Sequence, residues 1–94
     1  MNASDLPEVS RLLGVFEWLA GREGAALRWW DHSRTEAERM GALPELARTF
    51  AEVAHRLRAC AERGRQWNGL GVHELDQRAR EWLAQCGLTG EPDR

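Results

Sequence analysis

The sequence contains no lysine, no isoleucine and no tyrosine, and only two residues each of cysteine, phenylalanine, methionine and asparagine. All 13 basic residues are therefore arginine. Lysine, isoleucine, tyrosine, phenylalanine and asparagine share AT-rich codons, so a GC-rich coding sequence accounts for the pattern. The arginine content by itself does not indicate phosphate recognition. A net charge of −2 and a pI near 5.9 exclude the global positive field that draws nucleic acid or acidic membrane to a protein. No apolar run approaches the roughly 20 residues of a membrane span. The opening Met1-Asn2-Ala3-Ser4-Asp5 lacks the basic-then-apolar order of a secretory signal. Together these absences predict a soluble, cytoplasmic protein with no membrane partner. Cys60 and Cys86 have no CxxC or other ligand spacing around them and read as buried free thiols.

What is present is a helical pattern. At 94 residues, 43 % hydrophobic and 30 % charged, the chain has room for one folded domain, spanning 1–94 with a frayed tail at 89–94. Asp5-Leu6-Pro7-Glu8 has the order of an N-cap, an early-turn proline and a capping-box glutamate. Behind it, Val9, Leu12, Leu13, Phe16, Leu19 and Ala20 follow helical spacing and predict a first helix over 5–20 with that stripe facing the core. A second helix is expected over 25–40, with Ala26, Leu27, Trp30, Ser33 and Ala37 inward. Asp31-His32-Ser33 offers a capping sequence that would split it. Pro44 opens a third helix that runs to Gly64, with Leu46, Phe50, Val53, Leu57 and Cys60 as a regular seam. A fourth, over 72–86, places Val72, Leu75, Ala79, Trp82, Leu83 and Cys86 on one face. Gly87-Leu88 reads as its left-handed cap and hydrophobic contact. Short connections predict an all-α fold, a small up-down antiparallel bundle of about four helices.

Chemistry-bearing constellations are sparse. Glu52-Val53-Ala54-His55 is a Glu-x-x-His of the kind that ligates di-iron centres in helical bundles, but it lacks a second copy. Glu52 and His55 also point away from the Leu46–Phe50–Val53–Leu57 seam, so this pair could hold metal only across a dimer. His32, His55 and His73 are not spaced with either cysteine as zinc ligands. Neither cysteine opens a helix, no Gly-x-Ser-x-Gly elbow exists, and Gly69-Leu70-Gly71 lacks the strand and lysine of a phosphate loop. The pattern predicts no enzyme, no cofactor and no metal within one chain.

Trp67-Asn68-Gly69 between two helices resembles the Trp-x-Gly signature of a family of small secreted helical hairpins. The resemblance covers these three residues. The motif lies well past the middle of the chain, the following helix is short, and the tyrosine of that family's secretion signal is missing. The residues themselves predict a tryptophan that closes one end of the bundle over an Asn-Gly turn.

Two surfaces remain. Arg48, Arg56, Arg58, Arg63 and Arg65 outnumber Glu52 and Glu62 by three over 48–65, and Trp67 follows as a stacking surface for nucleic acid. Against that, Glu52–Arg56 has salt-bridge spacing, the arginines scatter around the helix, and Glu74 and Asp76 would repel phosphate at the start of the next helix. The other surface is aromatic. Arg11, Val15, Trp18 and Arg22 share a face opposite Leu12, Phe16 and Leu19, and Trp29 lies at the margin of its own stripe. Tryptophan and arginine dominate interface hot spots. The expectation is a non-enzymatic helical subunit, adaptor or inhibitor, of the type phages and mobile elements encode. Arg11, Val15, Trp18, Arg22 and Trp29 would contact a protein partner or a second copy, and a nucleic-acid-associated subunit is the alternative.

Overall fold

The computed structural model describes residues 6–60 and 64–87. Four helices follow one another: α1 (Pro7–Leu19), α2 (Glu23–Met40), α3 (Leu43–Ala59) and α4 (Val72–Gln85). No strand occurs among the described residues; one isolated bridge joins Trp67 and Leu70. The all-α class and the four-helix organisation are those predicted.

The breaks occur where the backbone chemistry requires them. Gly21 and Gly41 adopt positive φ, 86° and 67°, at the two short interhelical turns, a conformation glycine enters without steric cost. Pro7 and Pro44 sit in the first turns of α1 and α3, where a missing N–H costs nothing. Leu6, not Asp5, precedes the first helical residue of α1 and provides no side-chain cap; Asp5 lies outside the described residues. α2 is continuous through Asp31-His32-Ser33, because Ser33 turns its hydroxyl inward instead of capping a new start. α3 stops short of the expected Gly64: Cys60 is already extended, with φ −73° and ψ 141°. Asn68 and Gly69 both adopt positive φ, 54° and 75°, and Trp67 and Leu70 exchange backbone hydrogen bonds across them. This is the expected Asn-Gly turn. It is followed by Gly71, whose N–H donates to the Glu74 carboxylate at 2.8 Å and so starts α4.

The hairpins α1–α2 and α3–α4 are the closely packed pairs, and α2 against α3 joins them. α1 meets α3 only lightly, so the row is open at the α1 side. Trp30 is fully buried at the centre, among Ala26, Ala37, Ala47, Val53, Phe50 and Leu57. Phe50 packs nearly perpendicular to both Trp67, with centroids 5.2 Å apart, and Trp82, at 4.7 Å. The buried hydroxyls are satisfied internally. Ser33 donates to the Pro7 carbonyl at 2.8 Å and its oxygen lies 2.8 Å from the Thr49 hydroxyl, which also reaches the Glu45 carbonyl at 3.0 Å, tying α1, α2 and α3 together.

Candidate interaction surface on the first helix

The face of α1 that enters the core is the reverse of the one its hydrophobic stripe predicts. At about 100° per residue, Pro7, Ser10, Gly14 and Trp18 share one side of the helix. Pro7, Ser10 and Gly14 are buried, and Trp18 packs on the core with its ring centroid 5.7 Å from that of Trp30. The cause is steric. A Cβ on Gly14 would lie 2.3 Å from Nε1 of Trp30 and 2.5 Å from its Cδ1, so only glycine lets α1 approach the indole. At that approach Trp30 Nε1 donates to the Arg11 carbonyl at 3.1 Å. A Leu or Phe face would hold the helices apart and leave the indole N–H without this partner.

The predicted interface set is therefore redistributed. Val15 and Trp18 are half-buried against the core rather than exposed. Arg11 also turns inward, 3.8 Å from the Glu45 carboxylate of α3. Trp29 is half-buried, its ring edge-on to His32 at 6.1 Å. Arg22 alone of the set is exposed; it pairs with Glu17 and holds its guanidinium 6.0 Å from the Phe16 ring centre.

The opposite side of α1 carries what the core does not use. Four large apolar side chains are exposed among the described residues: Leu12 (53 %), Phe16 (60 %), Leu19 (71 %) and Met40 (47 %). Three of the four fall on α1, within about 60° of arc. With half-buried Val9 they step by three, four and three residues, the spacing of a helix–helix seam. Glu8 flanks the beginning of this seam and Arg22 its end. α1 thus turns small residues and one tryptophan to the core and its larger apolar side chains outward.

The arginine surface is laced with acidic partners. Arg48 pairs with Glu45, Arg56 with Glu52, Arg58 with Asp76 and Arg65 with Glu23. Arg63 lies outside the described residues. Trp67 is 5 % exposed and donates its Nε1–H to the Leu27 carbonyl at 3.3 Å, so it presents no face on which a base could stack. Arg65 instead reaches back over Trp18, 6.0 Å from its ring centre. The Glu-x-x-His pair is likewise engaged elsewhere: Glu52 accepts from Arg56, and His55 is exposed on the far side of α3. No group of three or more His, Cys, Asp or Glu stands ready for a metal among the described residues.

A second surface feature lies between α2 and the Trp67–Leu70 turn. It is an open groove of about 550 Å³ bordered by Leu27, Asp31, His32, Thr35 and Asn68. Asp31 is opposed there by two effects: partial burial pushes its carboxyl up, while hydrogen bonds from Arg34 and Asn68 hold it down, and the net pKa is lowered. The Asn68–Asp31 bond, at 3.1 Å, fastens the turn to α2. Burial lowers the Arg34 pKa, but pairing with Asp31 and Glu38 outweighs it and raises the net value. These charges are occupied with one another and with the fold.

No described helix is long and apolar enough to cross a membrane. No protein-family model matches the chain, and neither does any curated protein or solved structure.

Proposed function

We propose that this is a non-enzymatic, cytoplasmic binding protein, a small helical subunit, adaptor or inhibitor that docks another protein surface on the outer face of α1. One observation carries the reading: Leu12, Phe16 and Leu19 stand exposed in a single line on a helix whose other side is already in the core. At their exposures they leave about 350 Å² of apolar surface open per chain, a patch of the size that on a monomer is often functional. On this reading the contact residues are Leu12, Phe16 and Leu19 instead of Arg11, Val15, Trp18 and Trp29, with Arg22 at the rim.

The test is a comparison of the wild-type chain with the double variant Leu12→Ser/Leu19→Ser, each immobilised through its C-terminus and exposed to extract of the native host. The wild type should retain a protein, either a different chain or further copies of this one, and the variant should lose it while its melting temperature stays within a few degrees. The same proteins retained by both would refute the reading.

A further inference from the structure

We infer that the occupant of the α1 face is a second copy of the chain, docked with its α1 antiparallel to the first; this rests on the reading of α1 as a docking face. Three features favour a copy over another partner. The first is register. Val9, Leu12, Phe16 and Leu19 read the same in either direction, three–four–three, so a two-fold axis at the level of Gly14 pairs every layer: Val9 with the second copy's Leu19, and Leu12 with its Phe16. An isologous contact needs such a self-complementary stripe, and this face supplies it.

The second is charge. Exposed Glu8 precedes the seam in the first turn of α1, and exposed Arg22, which pairs with Glu17 of its own chain, follows it just beyond the Gly21 turn. Antiparallel docking brings the Glu8 end of each copy to the Arg22 end of the other and opposes the two helix dipoles, whereas a parallel arrangement sets like against like. The Arg22 guanidinium already lies beside the Phe16 ring, at the edge of the surface that the second copy covers.

The third is area. Two copies contribute about 700 Å² of apolar surface from Leu12, Phe16 and Leu19, and with the usual polar share the contact reaches about 1,200 Å². That is the lower bound of specific interfaces, the size of a reversible rather than an obligate dimer. α1 is an end member of the helix row, packed mainly on α2 and only lightly on α3.

Sedimentation equilibrium of the purified full chain from about 5 to 500 μM tests this. The expected result is a rise with concentration from the chain mass of 10.7 kDa to twice that value. Phe16→Glu should hold the protein at the monomer mass with its far-UV circular dichroism and melting temperature retained. Glu8→Arg alone should weaken the dimer about two- to fivefold by facing Arg22 with a like charge, and Arg22→Glu added to it should restore the affinity. A monomer at every concentration overturns the second copy as occupant, as does a dimer indifferent to Phe16→Glu. If that monomer still captures a different protein through Leu12 and Leu19, the docking face survives and only its occupant changes. If it captures nothing, both proposals fail.

Discussion

Replacing Gly14 with alanine should destabilise this protein, although the same change in an exposed helix normally stabilises it. Alanine is favoured over glycine by about 0.8–1 kcal/mol within a helix. At Gly14 the added Cβ would lie 2.3, 2.5 and 2.8 Å from three atoms of the Trp30 ring, which is fully buried. The indole cannot yield by rotating into solvent. It must shift within a packed core, at a typical overpacking cost of about 1–3 kcal/mol. Any shift also lengthens the 3.1 Å bond from Trp30 Nε1 to the Arg11 carbonyl, whose loss costs about another 1 kcal/mol. The net expectation is a loss of about 1–3 kcal/mol, or roughly 5–20 °C in melting temperature for a domain of this size.

Gly24→Ala is the matched control. Gly24 lies in the first turn of α2, where the nearest atom to an added Cβ is the flexible end of Arg28 at 3.7 Å, so the substitution should raise stability by about 0.5 kcal/mol. Urea unfolding, followed by circular dichroism and tryptophan fluorescence, reads both midpoints. Opposite signs for the two substitutions support the close approach of α1 to Trp30. If both stabilise, α1 does not enter the core by its Gly14 face, and the exposure of Leu12, Phe16 and Leu19 loses its basis.

Trp18→Ala should cost about 2–4 kcal/mol of folding stability, less than a fully buried tryptophan, because its ring covers Trp30 but stays half-exposed; an unchanged urea midpoint would place Trp18 outside the core. Ser33→Ala should cost about 1–2 kcal/mol by removing the hydroxyl that bridges Pro7 and Thr49, and a stabilised variant would contradict that bridge. Asp31 has a lowered pKa despite partial burial, because Arg34 and Asn68 favour its charged form. Its contribution is therefore complete above the ordinary aspartate value of 3.8 and is lost as pH falls through the lowered folded value. The melting-temperature gap between wild type and Asp31→Asn should close in that acidic window, and a gap that widened there would reverse the sign of the argument.

Three of the helices were legible because each has one apolar side. Of the predicted seam of α3, Leu46, Phe50, Val53 and Leu57 are buried, while Cys60 is half-buried just past the helix end. Of the five predicted inner positions of α2, Ala26, Trp30, Ser33 and Ala37 are buried and Leu27 is half-buried. In α4, Leu75 and Ala79 are buried while Val72, Trp82 and Leu83 are half-buried at the margin of the core. The Trp67-Asn68-Gly69 turn was equally readable, since Asn-Gly takes positive φ on both residues at low cost. The end of α3 was not. Continuous helix-forming residues run past Cys60, and nothing in their types marks the change to extended backbone there.

α1 is the instructive failure, because hydrophobicity was the wrong quantity for choosing its face. Its larger apolar side chains lie on one side and its smaller residues on the other, and the stripe rule selects the first. The core selected the second, because α2 presents a whole indole and needs a shallow trough to receive it. Ser10 and Gly14 supply the trough, and Trp18 closes it one turn further on. A mid-helix glycine was the available signal: it costs about 1 kcal/mol against alanine and is found where another group must approach closely. Once that face is used inside, the side bearing Leu12, Phe16 and Leu19 is left exposed among the described residues. Large apolar side chains left in a line on an exposed helix favour association over dispersal in water. The trough that seats Trp30 is thus also what turns the second apolar face outward, so Gly14 ties the packing of α1 to the docking face proposed for it.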